Sequence, residues 1–178
     1  MSEILGRGIG ISSVKYDVIM TSQGMPSMTQ KIWLNKKKMR TEAIMEGQTT
    51  KLIYLTDMDA KTMYMYMPAE NMAMKMDFSN APKPATESTE GVDKYKPVVV
   101  GTETIDRKVC IVYEYTAEEE KIKSWVWKDK GFPIRTEMTT AQGKIITEYK
   151  NIEFANIPDS MFELPAGVKI TEMPTGVH

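Results

Sequence analysis

The stretch that decides the fold is TMYMYMPAENMAMKM, residues 62–76. Methionine occupies every second position on both sides of a four-residue break in this stretch. The six are Met63, Met65, Met67, Met72, Met74 and Met76. Because successive side chains of a strand point to opposite faces, each trio lies on one face of a strand. The short break at 68–71 makes the two strands hairpin partners, so we expect the trios to face each other.

The same alternation of apolar and polar residues continues on both sides of this stretch. Turn signals divide it into runs at 12–22, 27–35, 38–46, 50–57, 61–67, 72–78, 98–104, 108–116, 121–128, 133–140 and 143–155. Short connections favour an antiparallel meander, and a sheet of many twisted strands tends to curl. We therefore expect a mainly β protein, a single curved antiparallel sheet forming an open (incomplete) barrel of about eleven strands with few short helices.

The remaining segments suggest one domain with flexible ends. Residues 1–11 are punctuated by glycine and form a flexible N-terminal segment, the barrel domain spans 12–170, and 171–178 are a C-terminal tail. Residues 79–97 form a long proline-rich loop, a candidate lid, for which a plain connection is an equally good interpretation. A short helix is expected within 156–162, with Pro158 near its first position.

Composition excludes several classes of function. The chain has 23 Lys+Arg against 24 Asp+Glu, which argues against a nucleic-acid partner. One cysteine, Cys110, and one histidine, His178, leave no disulfide, thiolate zinc site or Ser-His-Asp triad. No pair of acids stands out by its spacing. We therefore predict no catalytic residues, no metal ligands and no cofactor, so the protein is not expected to be an enzyme.

Methionine is unusually common, with 16 residues against 5 leucines. Three interpretations of the two trios stay open at this point. They form a methionine-rich core, an adaptable apolar pocket that re-packs around its ligand, or a Cu(I) site, since soft thioethers select that ion.

Three tryptophans, Trp33, Trp125 and Trp127, lie on predicted strands. Trp125 and Trp127 share a strand face with Lys123. A pair on one strand face is typical of a core or of the rim of a pocket, so we expect these rings to line or rim the cavity.

Several longer motifs recur in a familiar order. They are WLN at 33–35, MRTE at 39–42, TMYMYMP at 62–68, GTETIDRKVC at 101–110, WVWKDKGFPI at 125–134, YKNI at 149–152 and IPDSMFELPAGV at 157–168. In order and spacing they resemble the LolA-like outer-membrane lipoprotein-sorting superfamily over residues 12–170. The resemblance implies an incomplete antiparallel barrel, a hydrophobic concave cavity for acyl chains or other apolar ligands, and export from the cytoplasm. It assigns no gating role to Arg40.

These observations together predict a non-enzymatic, periplasmic or otherwise extracytoplasmic binding protein. It would hold a lipid or lipoprotein acyl chain in a methionine-rich cavity, with a membrane-associated protein as a further partner. The start of the chain lacks the pattern of a signal peptide, so export is inferred from the resemblance. The ligand contacts are predicted to be Met63, Met65, Met67, Met72, Met74, Met76, Trp33, Trp125 and Trp127. The alternatives are a structural or protein-interaction module with a packed core, and a Cu(I) carrier.

Overall fold

The computed structural model describes residues 11–45, 51–77 and 93–172, which form twelve strands and three short 3-10 helices. The strands are β1 (Ser13–Ser22), β2 (Met25–Asn35), β3 (Lys38–Met45), β4 (Leu52–Asp57), β5 (Thr62–Met67), β6 (Met72–Asp77), β7 (Val98–Ile105), β8 (Lys108–Ala117), β9 (Glu120–Trp127), β10 (Pro133–Thr140), β11 (Gly143–Glu153) and β12 (Lys169–Glu172). The helices are η1 (Pro68–Glu70), η2 (Asp93–Tyr95) and η3 (Asp159–Phe162).

The twelve strands belong to one sheet, in the order β12-β6-β5-β4-β3-β2-β1-β11-β10-β9-β8-β7. Strands that follow each other pair antiparallel from β2 to β6 and from β7 to β11, and β12 joins β6 in parallel. The order begins and ends on different strands, so the sheet is open. The predicted fold class, an open and mainly antiparallel sheet with few short helices, is confirmed.

Each of the eleven predicted strands is present, and its ends lie within two residues of the predicted ones. The twelfth strand, β12, was not predicted. Its four residues are all exposed and carry no buried face that alternation could reveal. The predicted N-terminal segment up to residue 10, the part of the candidate lid at 79–92 and the tail beyond 172 lie outside the described residues. The described end of that loop contains η2.

The chain divides into two compact units. Unit 2 contains residues 12–17, 28–82 and 151–178. Its core is formed by buried side chains of β4, β5 and β6, and two residues of the C-terminal segment pack against it. The core residues are Ile53, Leu55, Tyr66 and Ala73, with Tyr64, Leu164 and Val168 packed on them.

Unit 1 contains residues 1–11, 18–27 and 83–150. Tyr113 and Val126 form its core cluster on β8 and β9, and Ile111 packs against them. Burial raises the pKa of the Tyr113 hydroxyl above its usual value. β-branched and aromatic residues dominate these strands because they pack well on a pleated, half-buried surface.

The connection between β5 and β6 determines how the two methionine trios meet. Pro68 begins η1, and Asn71 ends it in the left-handed conformation with φ 48°, where its N–H donates to the Pro68 carbonyl. Asparagine tolerates this conformation better than most residues. The Asn71 side chain donates to the Gly167 carbonyl at 3.1 Å, and the Asn71 carbonyl accepts from the Lys169 N–H at 3.1 Å. The turn therefore also holds the segment that leads into β12.

Candidate functional site

The six methionines of residues 62–76 form three directly facing pairs on β5 and β6. The pairs are Met63 with Met76, Met65 with Met74, and Met67 with Met72. This register confirms the predicted pairing of the two trios. Each of the six side chains is half-buried. Directly opposite side chains in an antiparallel pair have Cβ atoms about 4.5–5.5 Å apart, so the thioethers form one contiguous patch.

This patch continues across β4, β3 and β2 on the same side of unit 2. The register sets Met65 opposite Tyr54, Met63 opposite Thr56, and Thr56 opposite Met39. We call this side the methionine face. Besides the six, its half-buried apolar residues include Met28, Ile32, Leu34, Met39, Leu52 and Tyr54.

On β2 to β6 the methionine face carries no charge, while β12 at the edge places Lys169 opposite Met72. The positions of β2 to β6 that point to this side hold apolar residues, Ala43 among them, and three uncharged polar residues. The polar residues are Gln30, Thr41 and Thr56. A quarter of the residues in the whole chain, 26%, are charged, so chance alone does not explain a five-strand face without a charge. A contiguous, half-buried apolar surface of this kind is typical of a ligand or partner site.

The opposite side of unit 2 is covered by the chain itself. Leu164 and Val168, from the segment after η3, pack against the core residues of β4 to β6. Tyr66, which alternates with the methionines along β5, belongs to that covered core with 9% exposure. The methionines are therefore not the residues that fill the core cluster of unit 2.

Trp33 lies on the covered side of unit 2, opposite the methionine face. It pairs across the strands with Arg40, whose guanidinium carbon is 5.8 Å from the centre of a Trp33 ring. Arg40 also donates from Nη2 to Glu42 Oε1 at 2.6 Å and from Nη1 to the Met161 carbonyl at 3.1 Å. Trp33 is thus packed beside a charged network instead of lining the methionine face.

Glu42 is the centre of that network. Its Oε2 forms an ion pair with Lys51 Nζ at 2.5 Å, while its Oε1 accepts the hydrogen bond from Arg40. Burial alone raises the pKa of Glu42, but the hydrogen bonds from Lys51 and Arg40 outweigh it and hold this pKa below the usual value. The carboxylate is therefore charged at neutral pH and neutralised by two cations.

The other two tryptophans belong to unit 1, on β9. Trp125 is 5% exposed and donates from Nε1 to Glu103 Oε2 at 2.9 Å. Its ring has Lys123 Nζ at 5.2 Å and the guanidinium carbon of Arg135 at 5.4 Å. Trp127 is half-buried, with Lys108 Nζ 5.5 Å from its ring centre. Both rings are held by charged side chains of unit 1.

Arg135 belongs to a second charged network, on β10. Its Nη2 donates to Glu137 Oε1 at 2.6 Å, and Lys144 pairs with the other oxygen of Glu137. As with Glu42, burial raises the pKa of Glu137, while Lys144 and Arg135 together hold it below the usual value. Neither arginine was predicted as a site residue, because each contact with a tryptophan depends on the strand register, and the contact of Arg40 with Met161 spans 121 residues.

Each unit has an open cavity among its described residues. The larger, about 720 Å³, lies in unit 1 and is lined mainly by residues of η2 and β7 to β11. The smaller, about 360 Å³, lies in unit 2 between the ends of β4 and β5 and the segment 162–164. The lining of these two cavities does not include the six paired methionines.

The described residues contain no group of three or more histidine, cysteine and carboxylate side chains arranged to hold a metal ion. In the described ranges, no helix has the length and apolar character needed to cross a bilayer.

The described strands define an open, mainly antiparallel β-sheet protein. The chain belongs to the DUF4412 family, a domain of unknown function whose model matches residues 17–130. No curated protein sequence matches it.

Solved structures share the fold at low sequence identity. An uncharacterised conserved protein from Thermus thermophilus aligns with a TM-score of 0.69 and 11% identity, over 97% of this chain and 98% of that one. MucB of Pseudomonas aeruginosa, solved in complex with MucA, aligns with a TM-score of 0.59 and 12% identity, over 96% of this chain but 62% of MucB. LprF from Mycobacterium bovis aligns with a TM-score of 0.55 and 14% identity, over 94% and 96% of the two chains. At such identities the likeness shows the fold alone.

Proposed function

We propose that this protein is a non-enzymatic, extracytoplasmic binding protein whose methionine face holds a lipid or the acyl chain of a lipoprotein. One observation carries the proposal. Unit 2 presents a half-buried, methionine-rich face, uncharged across the five strands β2 to β6, while its own C-terminal segment packs on the opposite side. Apolar surface that the described core does not use is available for an apolar ligand.

Methionine suits such a ligand because its side chain is unbranched and polarizable. Three rotatable bonds let a row of thioethers adapt to chains of different length and curvature. Each methylene of an acyl chain removed from water contributes about 0.8 kcal/mol before the costs of association are subtracted. The three facing pairs on β5 and β6 are the centre of this surface, and Trp33, on the opposite side, is not needed for it.

The extracytoplasmic location and the lipid or lipoprotein ligand follow the LolA-like resemblance. The MucB structure, solved with a protein partner, favours a second candidate, a protein-interaction module. In that case an apolar segment of a partner protein would bind the methionine face, and the chain would not bind lipid.

The test uses the full chain purified from a membrane-containing lysate and examined by native mass spectrometry. We expect co-purified lipid and saturable binding of a fluorescent fatty acid that is displaced by palmitate. Met65→Lys places a charge at the centre of the face, where it faces Met74 and Tyr54. We expect this variant to weaken fatty-acid binding at least tenfold, about 1.4 kcal/mol.

Met58→Lys is the matched control. Met58 is 43% exposed in the turn between β4 and β5, so the same chemical change should leave binding within about twofold. Absence of both lipid and fatty-acid binding in the wild-type chain contradicts the proposal. The proposal is also contradicted if Met65→Lys and Met58→Lys lose fatty-acid binding to the same extent while circular dichroism shows that both are folded.

A Cu(I) carrier would use the same six thioethers, since soft sulfur ligands select that ion. Titration of the reduced chain with Cu(I) against a chromogenic chelator separates this alternative from the lipid proposal. We expect no competition with the chelator, because the described residues add no imidazole or thiolate cluster to the thioethers.

A further inference from the structure

The chain contains the same three short motifs twice, once in each unit. A Lys-x-Trp motif is followed by Arg-Thr-Glu and then by Lys-(Leu/Ile)-Ile. The first set lies at 31–33, 40–42 and 51–53, and the second at 123–125, 135–137 and 144–146. In both sets the motifs fall on three consecutive strands, β2 to β4 and β9 to β11, except that Lys51 directly precedes β4.

The strand register of the two sets is the same. The cross-strand partners in the first set are Trp33 with Arg40, Lys31 with Glu42, and Glu42 with Ile53. The partners in the second set are Trp125 with Arg135, Lys123 with Glu137, and Glu137 with Ile146. A one-residue slip would move every side chain to the other face, so equal register places equivalent residues in equivalent positions.

The side-chain contacts also repeat. In both sets the arginine lies over the tryptophan and donates to the glutamate at 2.6 Å, and the second lysine pairs with the other glutamate oxygen. We call the first set the β3 platform and the second the β10 platform. Both consist of one tryptophan, the arginine paired with it on the next strand and the glutamate two residues further along that strand, with lysines beside them.

The β3 platform has an occupant, which is the chain's own C-terminal segment. Arg40 Nη1 donates to the Met161 carbonyl at 3.1 Å. Asn35, at the end of β2, donates to the Ile157 carbonyl at 2.8 Å and to Asp159 Oδ1 at 3.3 Å. This segment combines acidic residues, Asp159 and Glu163, with apolar ones, Ile157, Met161, Phe162 and Leu164.

The β10 platform lacks such an occupant among the described residues. Arg135 donates from Nη2 to Glu137, but its buried Nε has no hydrogen-bond partner, whereas Nε of Arg40 donates to Glu42 at 3.0 Å. Within the described ranges, no carbonyl takes the place beside Arg135 that Met161 takes beside Arg40.

The cavity of about 720 Å³ in unit 1 adjoins this platform, since Lys123, Glu137 and Lys144 line it. Its charged lining comprises four lysines, Lys96, Lys121, Lys123 and Lys144, and two glutamates, Glu114 and Glu137. Both glutamates are already paired, Glu114 with Lys123 at 3.5 Å and Glu137 with Lys144. In the described part of the chain Lys96 and Lys121 form no ion pair, so the cavity has an excess of positive charge that favours an anionic occupant.

We propose that the β10 platform is a docking site for an acidic, extended segment of a partner protein. A main-chain carbonyl of that segment accepts from Arg135, as the Met161 carbonyl accepts from Arg40. Its acidic side chains pair with Lys96 and Lys121, and its apolar side chains enter the cavity beside the platform. This site lies in unit 1 and does not depend on lipid binding by the methionine face of unit 2.

The test uses a synthetic peptide with the chemistry of the known occupant. A fluorescein-labelled peptide of the sequence NIPDSMFELPAGV, residues 156–168, is titrated with the full chain and followed by fluorescence anisotropy at low salt. We expect saturable binding with a Kd on the order of 10–100 μM, typical of a short unconstrained segment. A peptide with lysine in place of Asp159 and Glu163 should bind at least tenfold more weakly.

Variants of the chain assign the site. Lys121→Glu, at an exposed position, and Arg135→Gln should each weaken peptide binding at least fivefold, while Lys61→Glu, an exposed lysine of unit 2, should change it less than twofold. Lys121→Glu keeps the test decisive if Arg135→Gln fails to fold. Binding lost in Arg40→Gln but retained in both β10 variants would show exchange with the chain's own segment and would overturn the proposal.

No peptide binding up to about 1 mM, a free energy near −4 kcal/mol, also overturns it. A third result also overturns the proposal. If the peptide does not bind, while phosphatidylglycerol vesicles bind the wild-type chain and not Lys121→Glu, the cavity binds a lipid headgroup instead of a protein segment.

Discussion

Glu42 and Glu137 each accept hydrogen bonds from an arginine on their own strand and from a lysine at the start of the next strand, Lys51 just before β4 or Lys144 in β11. Their side chains are 11% and 14% exposed, so both carboxylates are largely desolvated. A desolvated carboxylate is stable only when it is paired and hydrogen-bonded. Two cations for each carboxylate satisfy that condition, which explains why an acid can occupy the middle of a strand.

These networks predict how stability changes in acid. In the folded chain the pKa of both glutamates lies below the ordinary value of 4.5. Their contribution is therefore fully present above about pH 4.5 and is lost as the pH falls through the folded-state pKa. We expect the Tm to fall as the pH is lowered below 4.5, and the double variant Glu42→Gln/Glu137→Gln to show a flatter acid dependence by calorimetry.

At pH 7 we expect each glutamine substitution to cost about 1–3 kcal/mol, because a buried charged partner loses its counter-ion. Glu119→Gln, in the exposed turn before β9, is the matched control and should be near neutral. An unchanged acid dependence in the double variant would contradict this assignment.

At the scale of elements, the β5–β6 hairpin is the best predicted part of the molecule. Period-two methionines indicated both strands and their shared face, and a Pro-to-Asn break indicated the turn. Local sequence suffices here because strand alternation and turn chemistry act over a few residues. The role of Asn71 in holding the segment before β12 was not predictable, because Gly167 lies 96 residues away.

Asn71 therefore provides a test of the hairpin. Asn71→Ala puts alanine, whose side chain cannot form a hydrogen bond, at φ 48° in the left-handed region, which should cost about 1–2 kcal/mol of stability. The variant also loses the side-chain hydrogen bond to the Gly167 carbonyl. Asn71→Gly loses only the side-chain bond, so it should destabilise less. Urea unfolding of the three proteins measures the difference, and equal losses in both variants would contradict a backbone cause.

At the scale of the whole molecule, an open sheet leaves edges. β7 ends the strand order, and Val98, Val99 and Val100 on it are 62%, 58% and 47% exposed. An edge strand that exposes three β-branched side chains is a template for pairing with another chain. The sequence of β7 was predicted as a strand, but its position at the edge follows from the pairing of all twelve strands.

We expect Val99→Lys to reduce concentration-dependent self-association, because a charge on an edge strand opposes pairing with another edge. Val109→Lys is the matched control, since Val109 is 43% exposed on β8, which is paired on both sides. Light scattering over a concentration series measures the effect. The expectation fails if Val99→Lys and the wild-type chain associate to the same extent.

The sequence by itself determined the strands, their approximate ends and the pairing of the two methionine trios, since each depends on residues close together in the chain. Only the tertiary structure decided which side of unit 2 the described residues leave uncovered. That side depends on where residues 157–168 pack, more than a hundred residues after β3. The same contacts placed Trp33 on the covered side and revealed that one charged platform holds the chain's own segment. Alternation defines two faces of a strand, but long-range packing determines which of them is covered.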